Sequence, residues 1–401
     1  MDINHSVRHL KFSVTFLASI GIFSIGGFSP LFGQEGDTSI RPSKFVEFFT
    51  FHPNERKAAS DSAIYPSKFI VAPVISYSPE TSLGLGFGAK YLFKVKGSGD
   101  ETRTSNMPVS ARYTFENQFI VYSGFEIFSP GEKWMLEGNL QFKSFPRFFY
   151  GIGDDTPYSN EENFTYRQVL IEPILLKQTW LKHLFVGAGI RYNHIGGVKA
   201  EDPDGLLVNT EVPGALGSES VGAELAVVYD SRDNLLNAYN GWYFEFTYGH
   251  YNKAFGSSQT FDLARLDLRH YWTLSESRQD VLAFHFIGHL TDRNAPLAEL
   301  ANFGSAEIMR GYYEGRYIDR TMVALQAEYR RHLFYRIGLV LFAGAGNVKP
   351  ELNDFNLADL DYSVGFGLRF LLEKRERLNL RFDWGFGQGT NNYYLNIAEA
   401  F

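Results

Sequence analysis

The chain has 401 residues, a formal net charge of -7, no cysteine and 38 glycines, and 16% of it is aromatic. Lack of cysteine excludes disulfides, thiol catalysis and cysteine-held metal. The mild acidity lacks the basic field of a nucleic-acid binder, so no nucleic-acid partner is expected.

At the start, Arg8 and Lys11 precede an uncharged run from Phe12 to Phe28, the positive-then-apolar order of a secretory signal. Residues 1–33 are therefore read as a signal peptide, with cleavage near Gly33/Gln34. Gly21, Gly26, Gly27 and Pro30 argue against an anchoring helix. Residues 34–67 form a short periplasmic segment, too short for a small domain of ~50 residues. Within it "PSKFVEFFTF", Pro42 to Phe51, is apolar enough for a short amphipathic element or a lumen plug. Beyond the signal, no uncharged apolar run approaches the ~18 residues of a membrane helix.

From Lys68 onward the pattern has period two. In "LNLRFDWGFG" the positions Leu378, Leu380, Phe382, Trp384 and Phe386 alternate with Asn379, Arg381, Asp383, Gly385 and Gly387. Side chains alternate faces along a strand, so one face is greasy and the other charged or small. Sixteen such strands are expected: 68–78, 82–94, 104–115, 118–128, 133–145, 164–176, 182–195, 219–230, 241–251, 260–272, 280–290, 321–332, 335–346, 361–372, 376–387 and 392–401. Their length, the aromatics on the apolar face and the charge and glycine on the other suit an all-β, 16-stranded antiparallel transmembrane barrel over residues 68–401.

The even count puts both barrel ends on the periplasmic side of a bacterial outer membrane. Long connections at 146–163, 196–218, 291–320 and 347–360 then face outward, and short turns such as Pro130-Gly131-Glu132 face inward. The turn at 95–103 is longer than an inner turn needs. At the end, "YYLNIAEAF" puts Tyr393, Leu395, Ile397 and Phe401 on one face and closes on an aromatic.

Catalytic and metal-binding patterns are wanting. No nucleophile elbow accompanies the histidines, and His285 and His289 read as a same-side pair on a strand rather than as ligands. "GIGDDT", Gly151 to Thr156, with Glu161 and Glu162, reads as an acidic outer loop, solvated or bridged to lipopolysaccharide. "GLGFG", Gly84 to Gly88, has no helix behind it to cradle phosphate. No enzyme activity, cofactor or metal is expected.

Four motifs in order carry a family resemblance: "YDSRDNLLNAYNG" (Tyr229 to Gly241), "MRGY" (Met309 to Tyr312), "EYR" (Glu328 to Arg330) and "LFAGAGNV" (Leu341 to Val348). Together they resemble the bacterial surface antigen superfamily, the BamA/TamA-like assembly and translocation barrels, best over the C-terminal half. The resemblance implies a periplasmic turn built on Asp230, Arg232, Asp233, Asn234 and Gly241. It implies an outer loop carrying Arg310, Gly311 and Tyr312 that folds into the lumen, with Glu328 as the wall partner of Arg310. On strand thirteen the family pattern Phe-x-Asp-x-Gly here reads Phe342, Gly344 and Gly346, with glycine in place of the aspartate. Glu328 alone, Asp383 in addition, or a looser loop would each answer that departure. The terminal Tyr393, Leu395, Ile397 and Phe401 look like the family's insertion signal.

Canonical members carry periplasmic POTRA domains, for which residues 34–67 leave no room. The resemblance implies insertion or translocation of polypeptide or lipid, a lumen plugged by residues 291–320, and a seam between the first and last strands, weakened by Pro73. The implied partners are outer-membrane lipid and lipopolysaccharide, the barrel-insertion machinery and a separate periplasmic subunit. A solute channel or a structural accessory barrel is the alternative.

Overall fold

The computed structural model describes Thr50–Phe51 and residues 67–401, apart from 80, 276–279 and 375–376. The expected signal peptide, its cleavage site and most of residues 34–67 lie outside the described residues.

Sixteen strands form the wall: β1 (Lys68–Ser78), β2 (Ser82–Phe93), β3 (Ser105–Thr114), β4 (Phe119–Phe128), β5 (Trp134–Phe149), β6 (Glu162–Gln178), β7 (Leu184–Ala200) and β8 (Ser218–Asp230). The circuit continues with β9 (Gly241–Tyr251), β10 (Phe261–Ser275), β11 (Asp280–Thr291), β12 (Thr321–Phe334), β13 (Ile337–Lys349), β14 (Asp361–Glu373), β15 (Leu378–Gly387) and β16 (Thr390–Ile397). Each pairs antiparallel with its chain neighbour, and β16 returns to β1 to close the sheet. Closure leaves no long edge in lipid, the condition for a spanning sheet.

Alternation sets which face is wet. On β8, Ser220, Glu224, Ala226, Val228 and Asp230 are buried inward, while Leu225 points out and is 63% exposed. Phe87, Trp242, Trp272, Trp384 and Tyr393 likewise lie exposed on the outer face, as lipid-facing and interfacial aromatics do.

Two departures from the sequence expectation concern the ends of strands. β5, β6 and β7 run several residues further outward than read, because alternation continues into what looked like loop. Their inward Phe145, Phe149, Phe164, Tyr166 and Ile195 bury one another with Leu207, Tyr251, Phe261 and Leu263. β16, expected to run to Phe401, ends instead at Ile397.

Between β11 and β12 the chain does not stay outside. Ala301–Phe303 and Tyr317–Asp319 pair as a small separate hairpin. Ala295, Leu300 and Ile318 of this loop join the apolar cluster at the outer end of the barrel. Below that cap, toward the short turns, lies a cavity of about 700 Å³ lined by Glu126, Glu137, Glu245, Arg265, Asp267 and His285.

Candidate functional site: the lumen loop and its wall

The loop enters the lumen at Met309, Arg310, Gly311 and Tyr312, all fully buried or nearly so. A guanidinium taken out of water needs anions, and Arg310 has two. One guanidinium nitrogen contacts Glu328 on β12, and the other reaches Asp383 on β15 at 2.5 Å. Its plane lies over the Phe342 ring on β13, 3.7 Å from the centroid, a cation–π contact in a desolvated place.

These anions are shared. Glu328 also accepts from Arg330 at 2.7 Å, and Asp383 pairs with Arg369 at 2.5 Å and Arg381 at 3.4 Å. Arg369 turns its other edge to Glu399 at 2.7 Å, and Arg381 lies 3.8 Å from Glu307 of the loop. Four buried arginines thus face three buried carboxylates, with the exposed Glu307 of the loop as a fourth at the cluster's edge. Arg310 is one of its members, joined to the rest only while the loop is inside.

The departure at Gly344 now has a physical account. Asp383, two strands away, supplies the second anion. At Gly344 a β-carbon would stand 3.0 Å from the Met309 sulfur, so the loop uses the space that a side chain there would fill. Gly346 likewise lies on the inner face beside Ala324, where a β-carbon would meet the neighbouring strand.

Main-chain contacts complete the seat. Gly311 has φ +116, and a β-carbon there would be 2.8 Å from the backbone of Phe386 and Gly387. That combination of left-handed backbone and close approach requires glycine. The inward glycines of β15 answer it: a β-carbon on Gly385 would sit 2.5 Å from the Arg310 carbonyl oxygen. The Gly311 N–H donates to the Tyr394 hydroxyl of β16 at 3.0 Å, and the Gly311 carbonyl accepts from Asn392 at 2.7 Å. Tyr312 donates its hydroxyl to the Tyr362 carbonyl at 3.0 Å and packs its ring against Phe303.

The opposite wall holds the loop too, at residues the motif reading did not single out. The Glu299 carboxylate accepts from Arg191 and from Asn193 of β7, each at 2.7 Å. Arg191 also pairs with Glu172 of β6 at 3.1 Å, and Arg265 of β10 bridges Glu172 and Glu224. The inward register of Arg191 and Asn193 was the available signal, but alternation alone does not say which loop residue comes to meet them. Outside the barrel, Arg316 is 3% exposed. It is stacked on Tyr150, Tyr158 and Tyr317 and donates to Thr156 at 2.8 Å. Burial and the Glu161 hydrogen bond push the Tyr150 phenol up. Thr156 belongs to the acidic outer loop, whose Asp154 pairs with Lys349 at 2.7 Å. Asp154, Glu161 and Glu162 are thus engaged by neighbouring protein groups.

At the other end, Asp230 accepts from Arg232 at 2.9 Å and from Arg103 at 2.7 Å. Asp233 caps the Tyr239 and Asn240 N–H groups, and Asn234 those of Leu236 and Asn237. The turn closes at Gly241, the first residue of β9. The unexpectedly long turn before β3 therefore delivers Arg103 across to its neighbours, where it also meets Glu132.

One expectation reads differently in three dimensions. Tyr393 and Leu395 face outward beside β1, with Tyr393 stacked on Tyr77 at 4.3 Å, and Ile397 ends the strand. Phe401, expected on that same face, instead lies inside: its ring sits 4.7 Å from His285 and its carbonyl accepts from Arg330 at 2.9 Å. The cause is Ala398, whose φ of 77 bends the chain off the strand. His285 lies 3.2 Å from Asp267, while His289 bonds to the Glu299 carbonyl at 2.9 Å. Among the described residues no three acids or histidines are grouped to hold a metal ion.

The family model of the Omp85 superfamily domain matches residues 131–401. Among solved structures, BamA from Haemophilus ducreyi lacking POTRA domains 1-3 is similar, with a TM-score of 0.53 at 11% identity, covering 82% of this chain and 70% of that one. CdiB from Acinetobacter baumannii is similar too, with a TM-score of 0.54 at 12% identity, over 83% of this chain and 60% of its own. At such identities the likeness is one of fold. No curated protein matches the chain.

Proposed function

Since the chain belongs to the Omp85 superfamily, as a sixteen-stranded barrel of the bacterial outer membrane, we propose that it inserts or passes a polypeptide or lipid at the β1–β16 seam. The loop between β11 and β12 is the lumen plug in this reading. After removal of residues 1–33, the segment 34–67 stands on the periplasmic side. The working partners are outer-membrane lipid and lipopolysaccharide, the insertion machinery during biogenesis, and a separate periplasmic subunit that receives the client.

One observation carries the proposal. Neighbouring strands elsewhere are paired over most of their length, yet the register between β16 and β1 is a single pair, Leu395 with Tyr77. Pro73 of β1 also has no N–H to give to a ladder. A wall with one short-paired junction opens there at the smallest loss of hydrogen bonds. The charged 700 Å³ cavity supports a second reading, solute passage, but the apolar cap over it disfavours flow while the loop is seated.

Because the chain has no cysteine, a Tyr77→Cys/Leu395→Cys variant gives a clean lock on the seam. Depletion of the protein should lower the levels of other barrels or exported proteins in the outer membrane. Re-expression of the locked form should fail to restore them until reductant is added. Full restoration by the oxidised variant would sink the seam reading, and normal levels after depletion would leave the solute channel.

A further inference from the structure

β16 covers only the outer end of β1. With Leu395 opposite Tyr77, a straight continuation would bring Ala398 opposite Val74 and Phe401 opposite Val71. It does not happen. Ala398 takes a left-handed φ of 77 and donates its N–H to Asn379, Glu399 turns in to Arg369 and Asn379, and Phe401 settles on His285 and Arg330. The inward tail therefore leaves Phe69 and Ile70, in the inner half of β1, without β16 opposite them. An uncovered strand edge is a template for any extended chain that arrives.

The chain's own N-terminal side supplies one. Thr50–Phe51 pairs antiparallel with β1, Thr50 opposite Ile70 and Phe51 opposite Phe69. It runs in the direction of β16 and stands where a longer β16 would have reached. Between the two coverings lies Pro73, the residue of β1 that offers no donor. Two pieces of chain thus share one edge, on either side of the residue that has no N–H to give.

We propose that Thr50–Phe51 is a guard strand: it occupies the inner half of the β1 edge and is displaced by an incoming extended segment of client polypeptide. The inference rests on the reading of the β1–β16 seam as the site of passage. It assigns a role to the last two residues of the apolar stretch Pro42–Phe51, which sequence alone left between an amphipathic element and a lumen plug. Among the described residues the guard's ladder is two residues long, and a longer client strand would make more main-chain bonds along the same edge and outcompete it.

The test uses the full chain in outer-membrane vesicles. In a Phe51→Cys/Phe69→Cys variant, oxidation should give an intramolecular disulfide in most molecules. A Phe51→Cys/Tyr77→Cys control, roughly 26 Å off along the strand, should give almost none. Equal yields in the two overturn the guard. The second arm places a single cysteine at Ile70→Cys and offers a synthetic peptide, YYLNIAEAF, with a bromoacetyl-lysine added at its C-terminus. Adding Thr50→Pro and Phe51→Pro, which remove the guard's N–H donors, should raise peptide capture at least fivefold over the parent and over a scrambled peptide. Capture unchanged by the prolines overturns guarding even where the disulfide forms. Heat-modifiable migration on gels verifies that each variant is a folded barrel. The seam-locked variant reads the passage function separately, so a failure of either idea is recognisable by itself.

Discussion

The Tyr394 hydroxyl is bonded twice to the backbone of the loop, accepting the Gly311 N–H at 3.0 Å and donating to the Tyr312 carbonyl at 3.1 Å. Tyr394 belongs to β16, the strand at the seam, so one hydroxyl joins the loop to the wall element that has least support from its neighbour. Tyr394→Phe removes both bonds and leaves a buried donor and acceptor unmet, at about 1–3 kcal/mol each. The expected result is a lower midpoint of heat-modifiable unfolding and a greater yield of thiol labelling at a Tyr77→Cys probe. Asn392→Ala should do less, because Thr390 also donates to the Gly311 carbonyl. If the two variants behave alike, the link between loop and seam strand does not run through Tyr394.

The two anions that hold Arg310 carry unequal loads. Glu328 faces two arginines and Asp383 faces three. Breaking a buried pair costs about 3–5 kcal/mol, chiefly by stranding the surviving charge. Asp383→Asn is therefore expected to destabilise more than Glu328→Gln. Arg310→Ala should fall below Asp383→Asn, since Glu328 keeps Arg330 and Asp383 keeps Arg369. Denaturant midpoints of the three refolded barrels give the order, and the reverse ranking would show that Glu328 is the principal anchor. The double variant Arg310→Ala/Asp383→Asn should cost less than the sum of its parts, as coupled neighbours do.

Gly385 tests whether the loop can be expelled without harming the wall. A methyl there would collide with the Arg310 carbonyl at 2.5 Å, and the obstacle is backbone rather than a flexible side-chain end. Gly385→Ala should leave the strand paired and the barrel folded, while single-channel recordings show more frequent or larger openings. Ala343→Val, on the exposed outer face of β13, should leave conductance unchanged. Quiet channels from Gly385→Ala would mean that the seated loop does not limit flow.

Much of this was legible because alternation is a local code. Leu378 to Gly387 shows in ten residues which side of β15 is lipid and which is lumen, and the same reading placed Asp383, Gly385 and Glu328 inward. The motif at Arg310 supplied one long-range partner, Glu328. What stayed hidden depends on chain segments meeting across the barrel. Glu299 finds Arg191 over 108 positions of sequence, and nothing in either strand's pattern announces it. The tail differs: Tyr393, Leu395, Ile397 and Phe401 share one face, but the charged Glu399 falls on that face too, and the strand ends just before it, where Ala398 takes a left-handed φ.

The strut at Glu299 gives the last expectation. The loop is held at both sides of the lumen, by Arg310 toward β12–β16 and by Glu299 toward β7. Glu299 accepts two bonds from β7, and its main-chain oxygen takes a third from His289. Glu299→Gln keeps the shape but removes the charge opposite Arg191, which retains Glu172 at 3.1 Å. The loss should therefore be modest in stability, at about 1–3 kcal/mol, yet visible in the loop. A spin label at Asn294, in the outer part of the loop, should broaden its distance distribution to a label on the outer face of β7. In Arg310→Ala the same distance should stay narrow, since the β7 side is still tethered, and only the combined Arg310→Ala/Glu299→Gln variant should free both ends. Broadening in Arg310→Ala alone would show that the Arg310 seat holds the whole loop and that the β7 contact is a passenger.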